Sequence, residues 1–532
     1  MISERLTSVV RSSARAGVAL AATLAWSLPA AVHAVPPGDG AFGAANVVPG
    51  DVTALVRVRG ARSLRSDGNL LPAQAALLRL AGSRVLSQAW DGLAGQLGLD
   101  ASTFVDRLLG EDAIYAERTR DGRAEWAIVT RTDQAMQDLL VERLKPAASA
   151  GGRSVYGPQQ VAASWRPPFL VLGPSDRTAL LDDVVGRIDS EQRDDALLRS
   201  ADLAPVTSWD PAPVEVAIRH AAPTGGMSAF SARPGEGALR IRHRSRFDRV
   251  PLHVAPGAPA DAGLLAALEG ESIAVLVMNP WRGALDAAEP VDAFLLEGGY
   301  DEAMRANMGA RQVLVVGDAA LDGSRVRVPT LAVAFEVRDP LLAEKQWDGW
   351  ALRFLESIAR RAGSAEGTIP VTAGGPVRQA DIAPALRAIF ADHPFARPTR
   401  LSWTTTSGTN GAWQVVATDP ALLARVSGAI NGAQRSPDPD EANEVGVLAG
   451  RSLAAHLRSW LTDPSMFVPE AQDPFVQAVG LAADVVSVAP RVRWRARSPV
   501  DGVIESEIVV ELPKVDPPTA DVPKVAPAAG AP

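Results

Sequence analysis

Short apolar or alternating runs punctuate the chain, set off by turn residues, and several lead into longer stretches with helical spacing. Thr53-Ala54-Leu55-Val56-Arg57-Val58 and Ile273-Ala274-Val275-Leu276-Val277-Met278 each read as the strand that opens one half. In the first half a β-run from Ala113 to Thr119 meets Asp121-Gly122, then Glu125-Trp126-Ala127-Ile128-Val129-Thr130. In the second, a run from Gln312 to Gly317 meets Asp322-Gly323, then Leu331-Ala332-Val333-Ala334-Phe335-Glu336. Asp-Gly between two β-runs predicts a hairpin, because both residues accept a positive φ.

Each second strand runs into an aspartate placed to open a helix. Asp133 precedes Met136, Leu139, Leu140 and Leu144, and Asp339 precedes Pro340, Leu341, Leu342, Trp350 and Phe354. A carboxylate there accepts an orphan backbone N–H, and proline fits the next position because its missing N–H costs nothing. The device recurs once per half. Ser175-Asp176 leads to Leu180, Leu181, Val184 and Ile188, and Asp419-Pro420 leads to Leu422, Leu423, Val426 and Ile430. Landmarks keep their order while their spacing drifts, the pattern of a duplication with insertions, the largest between residues 356 and 412. The expected fold is α+β: two related repeats, each a mainly antiparallel sheet covered on one face by helices.

Residues 1–34 read as a secretory signal. Arg5, Arg11 and Arg15 give a basic start, Ala16 to Ala31 is nearly all apolar, and Val32-His33-Ala34 puts small residues where a signal peptidase cuts. Cleavage after Ala34 is expected; retention as an anchor is the alternative. The first repeat then spans 35–248, a Pro/Ala-rich linker 249–262, the second repeat 263–512, and a Pro/Ala-rich disordered tail 513–532. No transmembrane span is expected after cleavage, and the location is periplasmic or secreted. The export signal, Val48-Pro49-Gly50-Asp51 before a strand, and Leu108-Leu109-Gly110-Glu111-Asp112 before a hairpin together carry a resemblance. In this pattern, which covers most of the chain, the protein resembles a family of exported bacterial proteins of unknown function. The resemblance implies a duplicated α/β build and an extracytoplasmic location. It brings no activity and no catalytic residues.

The 532 residues are 47% hydrophobic and 21% charged, an ordinary globular composition. The 61 acidic residues outnumber the 53 basic ones for a net charge of −8, which argues against nucleic acid as a partner. The absence of cysteine removes disulfides, thiolate metal sites and lipidation on cysteine. Neither a phosphate-binding loop, a zinc helix nor a nucleophile elbow occurs, so no cofactor, metal or catalytic residue is assigned. His220, His243, His253, His393 and His456 lack a ligand-like spacing, although strand geometry allows His220 and His243 to meet. Glu111-Asp112 and Asp182-Asp183 are adjacent and so face apart. Trp126, Trp347, Trp350 and Trp413 lie in apolar runs and read as core.

One pattern rises above this background. Arg240, Arg242, Arg244 and Arg246 alternate with Ile241, His243, Ser245 and Phe247; Arg491, Arg493, Arg495 and Arg497 alternate with Val492, Trp494, Ala496 and Ser498. Period two on a strand puts each set on one face, and both ladders are expected at the same position of the repeat. They are candidate anion-binding stripes, since guanidinium forks match phosphate and carboxylate. The alternative is a wet strand face neutralised by its neighbours. For the second ladder a turn at Ser498-Pro499-Val500-Asp501-Gly502 would pair Arg497 with Glu505, Arg495 with Glu507 and Arg491 with Glu511; the first ladder has no comparable local acids, though a distant strand could supply them. The leading expectation is a non-enzymatic binding or scaffold protein whose partner is an envelope protein or an anionic or apolar ligand. An envelope carrier of lipid or another apolar ligand, and a hydrolase with scattered residues, are the alternatives.

Overall fold

A computed structural model of the chain describes residues 47–60, 94–95, 97–109, 111–120, 122–146, 148–150, 153–156, 161–190, 212–220, 225–235, 237–246, 258–279, 302–320, 325–363, 369–389, 399–462, 472–500 and 503–512. The signal segment, most of the linker and the Pro/Ala tail lie outside the described residues.

Ten strands come from the first half: β1 (Ala54–Arg59), β2 (Asp112–Arg120), β3 (Arg123–Arg131), β4 (Ala148–Ala150), β5 (Arg153–Tyr156), β6 (Val161–Arg166), β7 (Phe169–Pro174), β8 (Val214–Arg219), β9 (Met227–Gly235) and β10 (Ala238–Arg246). Ten come from the second: β11 (Ala274–Met278), β12 (Met308–Ala320), β13 (Arg327–Val337), β14 (Val371–Gly374), β15 (Val377–Asp381), β16 (Arg400–Gly408), β17 (Gly411–Ala417), β18 (Glu444–Leu448), β19 (Arg491–Val500) and β20 (Val503–Glu511). Antiparallel pairings join all of them in the order β4-β5-β6-β7-β3-β2-β1-β8-β9-β10-β20-β19-β18-β11-β12-β13-β17-β16-β15-β14. Read inward from either edge, strands whose numbers differ by ten occupy the same place.

The α+β class holds, but the expectation of two sheets is corrected. The sheet is one, because β10 and β20 pair along their whole length, Ala238 opposite Glu511 through Arg246 opposite Val503. That pairing satisfies two rows of backbone groups that separate sheets would leave as open edges.

The expectation of helices on one face is corrected too. Helix α1 (Ala101–Leu109) and α2 (Gln134–Leu144) place Phe104, Leu108, Met136 and Leu140 against Leu170, while α3 (Ala179–Ser190) places Leu180, Leu181 and Val184 against Val171. Leu170 and Val171 are neighbours on β7, so these helices lie on opposite faces. The second half repeats the arrangement. There α4 (Ala262–Leu268) and α8 (Pro420–Gly432) cover Ala334 and Val415. On the other side α5 (Glu302–Asn307), α6 (Pro340–Arg361) and α7 (Ala383–Ile389) cover Phe335, Leu401 and Trp403. The continuous apolar run of β7 requires this, since a strand apolar on both sides must be buried on both; β17 is buried on both sides as well, with Gln414 as its one polar side chain.

The caps follow the sequence. Asp133 accepts from the Met136 N–H, Asp339 from those of Leu341 and Leu342, and Asp419 from that of Leu422, with Pro340 and Pro420 opening their helices. Helix α3 departs from expectation: it begins at Ala179, after Thr178, whose hydroxyl donates to Asp182 at 2.9 Å. Arg120 pairs with Arg123 across a two-residue turn in which Gly122 has φ +72°. The expected insertion between 356 and 412 contains α7, but a second addition lies elsewhere. Helices α9 (Gly450–Trp460) and α10 (Gln472–Ser487) stand between β18 and β19, where residues 220–226 alone join β8 to β9.

Candidate functional site

The two arginine ladders lie at the centre of the sheet, on β10 and β19. Their positions do not match, as the sequence led one to expect: β10 is tenth from its edge and β19 is ninth. Strand β20 runs between them. The hairpin register is the one read from the turn, with Arg497 opposite Glu505, Arg495 opposite Glu507 and Arg491 opposite Glu511. On the other side of β20, Arg242 lies opposite Glu507 and Arg244 opposite Glu505. Directly opposed residues share a face, so both ladders and all three glutamates project from one side of the sheet.

The acids of β20 are drawn mainly to the ladder far away in sequence. Arg244 Nη2 lies 2.6 Å from Glu505, and Arg240 and Arg242 lie 3.7 Å and 3.8 Å from Glu507. The β19 arginines find other partners. Arg491 pairs with Glu269 and Arg495 with Asp440, while Arg497 lies 2.6 Å from Glu441. Arg493 stands 3.6 Å from Glu511. Neutralisation by neighbours is therefore extensive. It is looser at three positions: the Arg240 and Arg242 side chains are each 60% exposed and that of Arg493 is 52% exposed, all with contacts beyond 3.5 Å. Exposed ion pairs are worth about 0–1 kcal/mol, so an anionic group in solution competes with them on near-equal terms.

The opposite face of the same strands is apolar with one polar thread. His220 Nε2 lies 2.5 Å from Ser228 Oγ, Ser228 Oγ 2.6 Å from Ser245 Oγ, and Ser245 Oγ 2.5 Å from His243 Nε2. His243 Nδ1 then meets Ser506 Oγ at 3.0 Å, carrying the chain across the β10–β20 seam. Phe230 stacks on the His243 ring at 4.4 Å. Burial, then the neighbouring His220, push His243 down to about 4; burial likewise lowers His220. Both imidazoles are thus held neutral. The sequence allowed these histidines to meet but gave no place to the serines. The one signal was spacing: His243 and Ser245 stand two apart on a strand and so share a face. Ser228 and Ser245 are buried, which removes them as nucleophiles for a dissolved substrate.

The remaining candidates resolve into structural roles. Asp112 takes two hydrogen bonds from Arg57, Asp183 one from Arg118, and Asp182 pairs with Arg153. Trp347, Trp350 and Trp413 are buried as expected; Trp126 is half-buried. His456 on α9 is buried 3.8 Å from Asp318, and burial lowers its pKa against the pull of that carboxylate. His253 and His393 lie outside the described residues. Among the described residues no group of three metal-ligating side chains converges, and no helix is long and apolar enough to cross a membrane. Two clefts lined by described residues hold about 240 Å³ beside Arg360 and Arg361 and about 600 Å³ beside Arg120, Arg123 and Arg177. Charged residues line both.

No family model, no curated protein and no solved structure matches the chain.

Proposed function

We propose that this is a non-enzymatic binding or scaffold protein of the bacterial envelope, periplasmic or secreted, whose binding face is the arginine-rich side of the central seam. The observation that carries this reading is the convergence on β20. Two ladders from opposite halves put Arg240, Arg242, Arg493 and Arg495 on one face; the first three meet Glu507 and Glu511 only at 3.6–3.8 Å, and Arg495 pairs with Asp440. Guanidinium forks so arranged suit an extended anionic partner. The chain is further proposed to be an internal duplication. The identical order of strands from the two edges supports this, as does the recurrence of Asp-capped helices after β3, β13 and β17. Duplication accounts for a seam with a binding face, because it sets two like-built halves edge to edge.

The test uses poly-L-glutamate as the anionic probe and the full chain. Binding should be saturable and weaken as salt is raised, since exposed charges are screened. Changing Arg240, Arg242, Arg493 and Arg495 together to glutamine should weaken it at least about tenfold, each lost charge contributing a few tenths of a kcal/mol or more. Equal binding by the variant, or none by the natural chain at low salt, would overturn the reading.

A further inference from the structure

The rungs across β10, β20 and β19 are not all alike. Three have a glutamate at the middle: Ala238–Glu511–Arg491, Arg242–Glu507–Arg495 and Arg244–Glu505–Arg497. At the end of the strands the rung is Arg246–Val503–Val500, and between two of the glutamate rungs it runs Arg240–Val509–Arg493. Valine stands where the alternation of acids along β20 calls for a carboxylate. Arg233 on β9 lies opposite Arg240, which extends the same rung with a third cation. Like charges placed directly across a sheet destabilise it, so this rung carries a local cost that its neighbours do not. Arg240 and Arg493 meet carboxylates on the diagonal: Glu507 at 3.7 Å from Arg240 and Glu511 at 3.6 Å from Arg493. Both arginine side chains are more than half exposed, and Val509 between them is half-buried.

We infer that this rung is a binding site for a phosphate group, held between the Arg240 and Arg493 guanidiniums above Val509. Strands two apart separate these Cα atoms by about 10 Å, a span that two arginine side chains close from opposite sides onto one small anion. A carboxylate offers one planar edge, which a single fork occupies. A phosphate monoester is tetrahedral and doubly charged, so it presents oxygens to both forks at once. Val509 gives the site an apolar floor, and the phosphate displaces the diagonal contacts that Glu507 and Glu511 make with Arg240 and Arg493. This inference rests on the proposed binding face and specifies one ligand group on it.

The test is to add the missing acid rather than remove an arginine. Val509→Glu continues the run Glu505, Glu507, Glu511 and fills the rung from within. Full-length protein is titrated calorimetrically with inorganic phosphate at fixed ionic strength, and sedimented with phosphatidylcholine vesicles containing phosphatidic acid. The natural chain should bind at least one of the two probes saturably; binding in solution marks a soluble phosphate compound, and binding confined to vesicles marks a lipid headgroup. Val509→Glu should lower that binding at least about tenfold and raise the thermal midpoint. The exposed pair Arg240→Gln with Arg493→Gln should lower binding equally, which guards against a folding defect in the first variant. Binding by Val509→Glu as tight as the natural chain, or no binding of either probe by the natural chain, overturns the inference. If poly-L-glutamate still binds while phosphate and the vesicles do not, the rung fails and the wider face stands.

Discussion

Replacing Arg311 with alanine will destabilise the second half by about 3–5 kcal/mol, the usual cost of removing one member of a buried charged cluster. Arg311 enters from the irregular start of β12 and its side chain is 7% exposed. Its guanidinium donates to Glu336 at 2.7 Å and 3.1 Å, to the Asn410 side chain at 2.6 Å and to the Asn410 carbonyl at 2.7 Å. It also stacks over Trp413 at 5.0 Å and lies 3.6 Å from Asp261. Asp261 caps α4 through the N–H groups of Gly263 and Leu264 and accepts from Ser436 and Asn410, so one cation holds together three segments distant in sequence. Burial alone would raise the pKa of Glu336, but the hydrogen bonds and charge of Arg311 outweigh it and hold the carboxyl below its usual range. Without Arg311, the buried Asp261 and the partly buried Glu336 lose their shared cation. Equilibrium denaturation read by tryptophan fluorescence measures the loss. A cost below about 1 kcal/mol would mean that the cluster is solvated and that its members act separately.

The second large effect is on acid stability. His243 is held at about 4 against an ordinary value of 6.5, so between those limits the unfolded chain binds a proton that the folded chain refuses. Stability is fully present above pH 6.5 and falls as the pH drops toward 4, by up to the order of 3 kcal/mol across the whole gap. The groups around the ring explain the refusal. Phe230 covers one side, and Ser245 and Ser506 hold the two nitrogens. His220 waits at the far end of the serine chain as a second potential cation. No carboxylate among the described residues is paired with His243. Because Ser506 belongs to β20, protonation strains the bond that crosses the seam. Denaturation midpoints measured from pH 7 to pH 4 should fall steeply in the natural chain and much less in His243→Gln. Parallel slopes would remove His243 as the cause.

What the sequence reveals here is what depends on near neighbours. The caps at Asp133, Asp339 and Asp419 are legible because a carboxylate and an N–H two or three residues later settle them. The β19–β20 register is legible because a short turn and two alternating charge patterns leave one alignment. Asp176 misleads because several polar residues precede α3, and Thr178 stands closer to its start. Pairing of β10 with β20 is invisible: a strand carries no local mark of a partner about half the chain away. For the same reason the acids serving Arg240, Arg242 and Arg244 cannot be assigned from sequence. The two ladders look equivalent because alternating arginine describes any wet strand, whereas their places are fixed by sheet order. The thread from His220 to Ser506 escapes because each contributor is a common residue, and only the sheet brings them into line.

Strand β20 follows every other described strand in the chain yet lies near the middle of the sheet. During synthesis β10 is therefore complete long before its neighbour emerges from the ribosome, and the first half must wait with a nine-residue edge unpaired. If two waiting copies met edge to edge, Arg240, Arg242, Arg244 and Arg246 would face one another in antiparallel register, cation against cation. The ladder that ends as one wall of the proposed binding face would thus begin as a guard against mispairing, dismissed when the acidic strand arrives.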